Sequence, residues 1–305
     1  MKSKIIAALP ILFISGIIFG SNLVVSRFSL GQFQPLAYIS FRFLIASVCY
    51  FLLFVFVKDH KFPSDPKIIL HGCIYGIIGT TIPLSCSVYS MKYLSSGVTS
   101  LLITMNPVLT VLFAHYMLQD EPLTRYKFFG AIIALGGASL LILQGENGLP
   151  EINSTNWIGY IWIIPVVLGL AYASVYARKY LNSINSIDGA AIRIFISAIS
   201  ITPLALLTNS YNFEKVQLNG ILVLLYVSII GTFLAFFLNF YIVKKYGSTV
   251  VSITTYISPI SAAALGAIFL NEEITLLIVV GMMIIFCGIA IMGFSPKKSI
   301  GAFEI

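Results

Sequence analysis

Apolar residues fall along the chain in ten long blocks separated by short polar stretches. The blocks cover roughly residues 5–25, 35–57, 68–90, 97–118, 126–144, 157–177, 187–207, 218–243, 249–270 and 274–294. A helix that crosses a bilayer needs about 20 mostly apolar residues, so every block qualifies. The breaks carry turn formers, as at Gly31 to Pro35, Pro63 to Pro66, Gly145 to Pro150 and Asn209 to Asn212. The pattern predicts an all-α integral membrane protein of ten transmembrane helices. Lys2 and Lys4 ahead of the first block imitate a secretory signal, but the run Ile5 to Val25 is too long for one and more spans follow, so a retained first helix is expected.

Alternating the connections between the two sides of a membrane sorts the basic residues. One side holds Lys2, Lys4, Lys58, Lys61, Lys67, Arg125, Lys127, Arg178, Lys179, Lys244, Lys245, Lys297 and Lys298, and the other only Arg27, Lys92 and Lys215. Cytoplasmic loops collect Lys and Arg, so this split places both termini in the cytoplasm.

The chain also repeats itself. At an offset of 152, Gly79-Thr80 matches Gly231-Thr232, Tyr89 matches Tyr241, Lys92 matches Lys244, Pro107 matches Pro259, and Asp120-Glu121 matches Glu272-Glu273. One residue less aligns Arg42 with Arg193, Gly130 with Gly281 and Gly137 with Gly288. Each half holds five spans, an odd number, so the second half enters the membrane upside down. The expected division is a first repeat over 1–145, a connecting loop over 146–156, an inverted repeat over 157–295 and a cytoplasmic tail over 296–305. Inverted repeats place a substrate site near the midplane between them, exposed alternately to each side.

Composition narrows the classes further. The 305 residues are 58% hydrophobic with a mean hydropathy of +0.98, and carry only 18 Lys and Arg and 11 Asp and Glu, against about 25% charged residues in a soluble domain. The net charge of +7 is spread in runs no longer than the pairs Arg178-Lys179, Lys244-Lys245 and Lys297-Lys298, which argues against a nucleic-acid partner. Cys49, Cys73, Cys86 and Cys287 sit in apolar stretches without paired spacing and read as small buried hydrophobes. Motifs for metal hydrolysis, nucleophilic catalysis and phosphate binding are absent from the sequence, so no enzyme and no cofactor are expected.

These features resemble the ten-helix EamA type of the drug/metabolite transporter superfamily, two tandem copies of a five-helix unit. The resemblance rests on Phe19-Gly20-Ser21-Asn22, Phe41-Arg42-Phe43, Asn106-Pro107, Asp120-Glu121, Gly130 and Gly136-Gly137. The second copy supplies Arg193, Ser258-Pro259, Glu272-Glu273, Gly281 and Gly288, although Ala173-Ser174 stands where a Gly-Ser-Asn is expected. The resemblance implies a transporter of small metabolites, amino acids among them, in a bacterial inner membrane.

Several residues are candidates for the site. Pro107 and Pro259 lie near the middle of their spans, where a proline frees the carbonyl four residues earlier, Ile103 and Thr255; a kinked cavity wall and a merely structural kink are both open. Asn106, Tyr256 and Ser258 flank these kinks, with Asn22, Tyr89, Tyr172 and Tyr176 expected to approach them. Arg42 and Arg193 are charged groups well inside spans, and such groups are costly enough in lipid to be functional candidates. Charge contact with a substrate, snorkelling to the interface and pairing with helix-end carbonyls are the alternatives. None of the carboxylates lies near the middle of a span, which argues against permanent cations as cargo. His115 is the candidate titrating group near neutral pH. Gly16 to Gly20 and Gly72 to Gly76 are close-packing motifs that fit bundle packing or dimerisation, so monomer and homodimer both stand. Asn153-Ser154-Thr155 matches a glycosylation sequon. A carrier for a small organic solute is the leading reading; a channel or a non-transporting receptor is the alternative.

The topology is testable. A cysteine at Ser154 should react with an impermeant reagent on intact cells and one at Ser64 should not; the reverse labelling would invert the orientation.

Overall fold

The computed structural model describes residues 2–56, 65–118, 123–150, 157–181, 184, 186–246 and 254–293. Lys58, Lys61, Pro63, Asp120, Glu121, the sequon Asn153 to Thr155, Lys297 and Lys298 lie outside them. Among the described residues every regular element is helical: α1 Lys2–Ser29, α2 Pro35–Phe56, α3 Pro66–Gly76, a π-turn Ile77–Thr81, α4 Ile82–Ser90, α5 Ser96–Ile103, α6 Asn106–Met117, α7 Arg125–Leu143, α8 Trp157–Tyr180, α9 Ser186–Leu207, α10 Leu218–Ser228, a second π-turn Ile229–Leu234, α11 Ala235–Tyr246, α12 Thr254–Leu270 and α13 Leu276–Gly293. Among the described residues nine helical spans are long and apolar enough to cross a bilayer, and Thr254–Leu270 is a shorter apolar tenth. Together they form two inverted repeats of five spans, as the sequence predicts.

Side-chain caps set several helix starts. Asp65 precedes Pro66 and accepts from the Lys67 N–H at 2.9 Å; Ser95 accepts from the Val98 N–H at 3.1 Å. Each satisfies an amide that the first helical turn leaves without a partner. In the last connection Asn271, at φ 53°, adopts the left-handed conformation that ends α12 and turns the chain back over it.

The repeats pack on one another through counterpart helices. α7 lies on α13 and α2 on α9, each the same span of its repeat, while α1 on α12 is mirrored by α8 on α6. One core gathers Leu101, Leu141, Ile163 and Ile285 from α5, α7, α8 and α13, and a second gathers Phe43, Tyr50, Val88 and Ile194 from α2, α4 and α9. The outer surface is as apolar as the core, with Phe13, Phe51, Val55, Ile132, Ile164 and Ile199 exposed, which is the surface a lipid solvent requires. Cys287 is also exposed, correcting its expected burial, whereas Cys86 is buried.

Glycines make the closest crossings. Gly130 faces the backbone of Gly288, and Gly137 that of Gly281, so α7 and α13 touch main chain to main chain. Gly16 and Gly20 receive Ile257 and the Ser258–Ala262 backbone of α12, and Gly72 and Gly76 receive Ile192 and Ile196 of α9. Both small-residue motifs therefore pack within the bundle.

Gly288→Val should destabilise the α7–α13 crossing by about 1–3 kcal/mol, the usual cost of overpacking, or abolish folded yield. Gly136→Ala, where an added Cβ meets nothing within 4 Å, should leave the melting temperature in detergent unchanged. Identical melting of the two variants would contradict the crossing.

Candidate functional site

A cavity of about 290 Å³ lies between the repeats, at the small end of the range for ligand sites. Its walls come from α1, α2, α4, α5, α6, α8, α9, α11, α12 and both π-turns, whereas α7 and α13 contribute nothing. Those two spans brace the bundle at its side.

Two arginines define the chemistry. Arg42 is 2% exposed and donates from Nε to Thr232 Oγ1 at 2.8 Å and from Nη1 to Ser26 Oγ at 3.3 Å. Its counterpart Arg193, 9% exposed, donates from Nε to Thr80 Oγ1 at 2.7 Å, from Nη1 to Tyr75 Oη at 3.2 Å and from Nη2 to Gly79 O at 3.5 Å. Each guanidinium thus bonds to the threonine of the opposite repeat's π-turn, and Arg193 also reaches the Gly79 carbonyl. Phe236 lies 4.3 Å from the Arg193 guanidinium carbon and Tyr75 5.1 Å, a cation–π arrangement. Neither arginine snorkels to a membrane face or pairs with a helix terminus. Thr80 and Thr232 were visible in the sequence only as a repeat match; their role shows once the arginines are seen to cross over to them.

The wider π-turn explains why these positions can serve. An i→i+5 turn displaces one residue from the regular ladder, and such turns recur at functional sites. Thr232 Oγ1 donates to Val227 O, five residues back, at 2.8 Å while accepting from Arg42. Gly231 leaves room for Asn22, whose Nδ2 donates to Gly231 O at 2.9 Å. Asn22 Oδ1 is buried without a described donor.

Of the residues expected at the site, Asn22, Asn106, Pro107, Ser258, Arg42 and Arg193 line this cavity. The fourth span is broken rather than bent: α5 stops at Ile103, Thr104 and Met105 form a turn, and Pro107 occupies the first turn of α6, where its missing N–H is tolerated. Pro259 sits inside a continuous α12 and is buried off the cavity wall.

Four tyrosines do not reach the cavity wall. Tyr89 stacks on Trp162 at 5.1 Å with the Lys92 ammonium 5.2 Å from its ring. Tyr256 packs edge-on against Phe286 at 5.1 Å. Tyr172 lies edge-on to Phe113 and beside Tyr176. Tyr176 bonds to His71 Nδ1 at 2.6 Å, and His71 stacks on Tyr180 at 4.7 Å. A four-residue spacing put Tyr172 and Tyr176 on one face of α8, but not on the cavity face. His71, half-buried on α3 with a tyrosine partner, is a contact the sequence reading missed; His115 accepts from the Leu123 N–H at 3.3 Å near the end of α6.

A second cluster closes one side of the cavity. Glu272, 5% exposed, accepts from the Ser96 N–H at 2.8 Å, Ser96 Oγ at 2.7 Å and the Gly97 N–H at 3.4 Å, and pairs with Arg27 Nε at 3.0 Å. The carboxylate caps the positive end of α5. Arg27 also donates to Met91 O at 3.1 Å and Leu94 O at 2.7 Å, which ties the ends of α1 and α4 to the start of α5 and the α12–α13 connection. Gly266 makes space for the carboxylate, since a Cβ there would meet Glu272 and Ser96. The same face is stitched by Ser95 N–H to Asn147 O at 2.8 Å and Glu273 N–H to Gly148 O at 3.0 Å. Arg27 and Glu272 looked like loop charges because both stand at span ends.

Comparisons with known proteins agree with this architecture. The model of the EamA-like transporter family matches residues 6–143 and again residues 157–294. The uncharacterized transporter YoaV of Bacillus subtilis is 24% identical over 92% of this chain and 95% of its own length. A transporter of Archaeoglobus fulgidus is 25% identical over 96% and 99%, and one of Haemophilus influenzae 26% identical over 85% and 88%. A solved crystal structure shares the fold with a TM-score of 0.66 at 18% identity, covering 92% of this chain and 94% of that one. With one match to each repeat, the chain belongs to the EamA-like transporter family.

Proposed function

We propose that this chain is a secondary carrier that moves a small organic metabolite, an amino acid or a related neutral, zwitterionic or anionic solute, by alternating access. The observation that carries the reading is a largely apolar cavity, shared by both repeats and set with a few polar and two cationic side chains, beyond one end of which Arg27 pairs with the buried Glu272. Arg27 lies five residues beyond Asn22, Ser96 four before Ser100 and Met91 four beyond Ser87, so the seal sits about one turn past the cavity wall. On the other side the wall ends at Asn239, Thr254 and Thr255. With both termini in the cytoplasm of a bacterial cell, the sealed face is the outer one. Asn22, Asn106 and Ser258 contact the solute, and Pro107 and Pro259 shape the spans that carry two of them. Asn106 Oδ1 already accepts from Thr110 at 3.1 Å, and its amide nitrogen is left for the cavity.

In proteoliposomes, saturable flux stimulated by solute on the far side identifies a carrier; flux linear in concentration identifies a channel, and binding without flux a receptor. Asn106→Ala should weaken apparent affinity about three- to tenfold, the size of one lost hydrogen bond, with unchanged melting temperature. Tyr256→Phe should transport normally. Unaltered affinity in Asn106→Ala would move the contact elsewhere.

The seal gives a second test. In a cysteine-free background, a cysteine at Ser87 should label slowly with an impermeant outside reagent, and adding Glu272→Gln should speed that labelling. Equal rates in the folded proteins would show that Glu272 does not control access.

A further inference from the structure

We propose that the cargo is a small organic anion whose carboxylate or phosphate group is the counter-charge of Arg42 and Arg193. The inference rests on the carrier reading and narrows its substrate class.

The argument begins with charge balance. Two guanidiniums line the cavity, and no Asp or Glu stands among the described lining residues. The ion pair of Arg27 with Glu272 lies outside the cavity wall. A cation withdrawn from water is costly unless an opposite charge meets it. Threonine and serine hydroxyls and aromatic faces hold these two in place, but they are neutral. Of the five N–H groups on a guanidinium, Arg42 gives one to Thr232 and one to Ser26 and also hydrogen-bonds with the neutral Tyr38 hydroxyl. The remainder can make the paired hydrogen bonds that carboxylate and phosphate oxygens accept.

The same residues rank other cargoes. A cation would face two guanidiniums with no acid to receive it. A zwitterion would satisfy one arginine through its carboxylate while its ammonium met no lining carboxylate, so discrimination is built from repulsion as well as attraction. The arginines also hold corresponding places in oppositely oriented repeats, one toward each end of the cavity. An anion entering from either side therefore meets the same guanidinium–threonine arrangement.

Purified full-length protein in detergent tests this by thermal stabilisation, since a ligand that binds only the folded state raises the melting temperature. Succinate and glycerol phosphate should stabilise it above a sodium chloride control of equal ionic strength, and succinamide, alanine and choline should not. Arg42→Gln and Arg193→Gln should each weaken the response to the anion about tenfold or more, with partial recovery in the Lys variants. Stabilisation by the amide, the zwitterion or the cation in preference to the anions, or no anion response beyond the salt control, would overturn the proposal; so would full anion response in both Gln variants. If those variants fail to fold, the ligand ranking on the wild-type protein decides alone. Counterflow of the same solutes in proteoliposomes separates the two readings. Anion binding without flux refutes the carrier and leaves the anion site standing, whereas saturable flux of neutral or zwitterionic solutes that anions do not inhibit refutes the anion site and leaves the carrier.

Discussion

Arg42 bonds to Thr232 and Arg193 to Thr80, and this crossed pair of contacts constrains the rest of the bundle. An arginine below the membrane surface must find hydrogen-bond acceptors inside the protein. Here each finds one on the opposite repeat, at a π-turn whose irregular backbone is tolerated because it lines an internal cavity rather than lipid. Parting the repeats here would strip two buried cations of their partners, and the break at Thr104 and Met105 lies along the same cavity.

Much of this was legible in the sequence because span length and duplication are long-range signals that survive errors of a few residues. The ten blocks, the inversion and the matched arginines needed no knowledge of which face of a helix points inward. The tyrosines did need it. Helices bathed in lipid are apolar on every side, so periodicity that would mark the buried face of a soluble helix says little here. Tyr172 and Tyr176 correctly shared a face, but that face met Phe113 and His71 rather than the cavity. Charge position misled in a similar way: Glu272 sits past the end of α12, yet the left-handed Asn271 folds it back under the α5 terminus, a change of direction that no hydropathy pattern records.

The duplication is not carried through the site evenly. At Gly231 the carbonyl is taken by Asn22, while at Gly79 the corresponding place is filled by Ala173 and the carbonyl accepts from Arg193. Pro107 opens a break between α5 and α6, whereas Pro259 is absorbed within α12. A symmetric frame needs only the elements that set helix crossings and the arginine exchange, and those are retained in both halves. The differences fall on the residues that face the cavity, Asn22 and Pro107, and not on the glycines that join α7 to α13.

The sealed face shows how an ion pair can make such a frame two-state. Glu272 is buried with three hydrogen-bond donors and Arg27, so its desolvation is offset only while all of them stay in place. If water enters, the attraction between the charges falls steeply with the rising dielectric, and both groups are solvated instead. Closing expels water and thereby strengthens the contact that closes; opening admits it and weakens the same contact. A seal made of leucines would lack that feedback, because apolar contact loses stability in proportion to the area exposed. With the carboxylate at the α5 terminus and Arg27 holding the Met91 and Leu94 carbonyls, such feedback would act at once on the ends of four spans, so that in a carrier partial opening of that face would cost more than full opening or full closure.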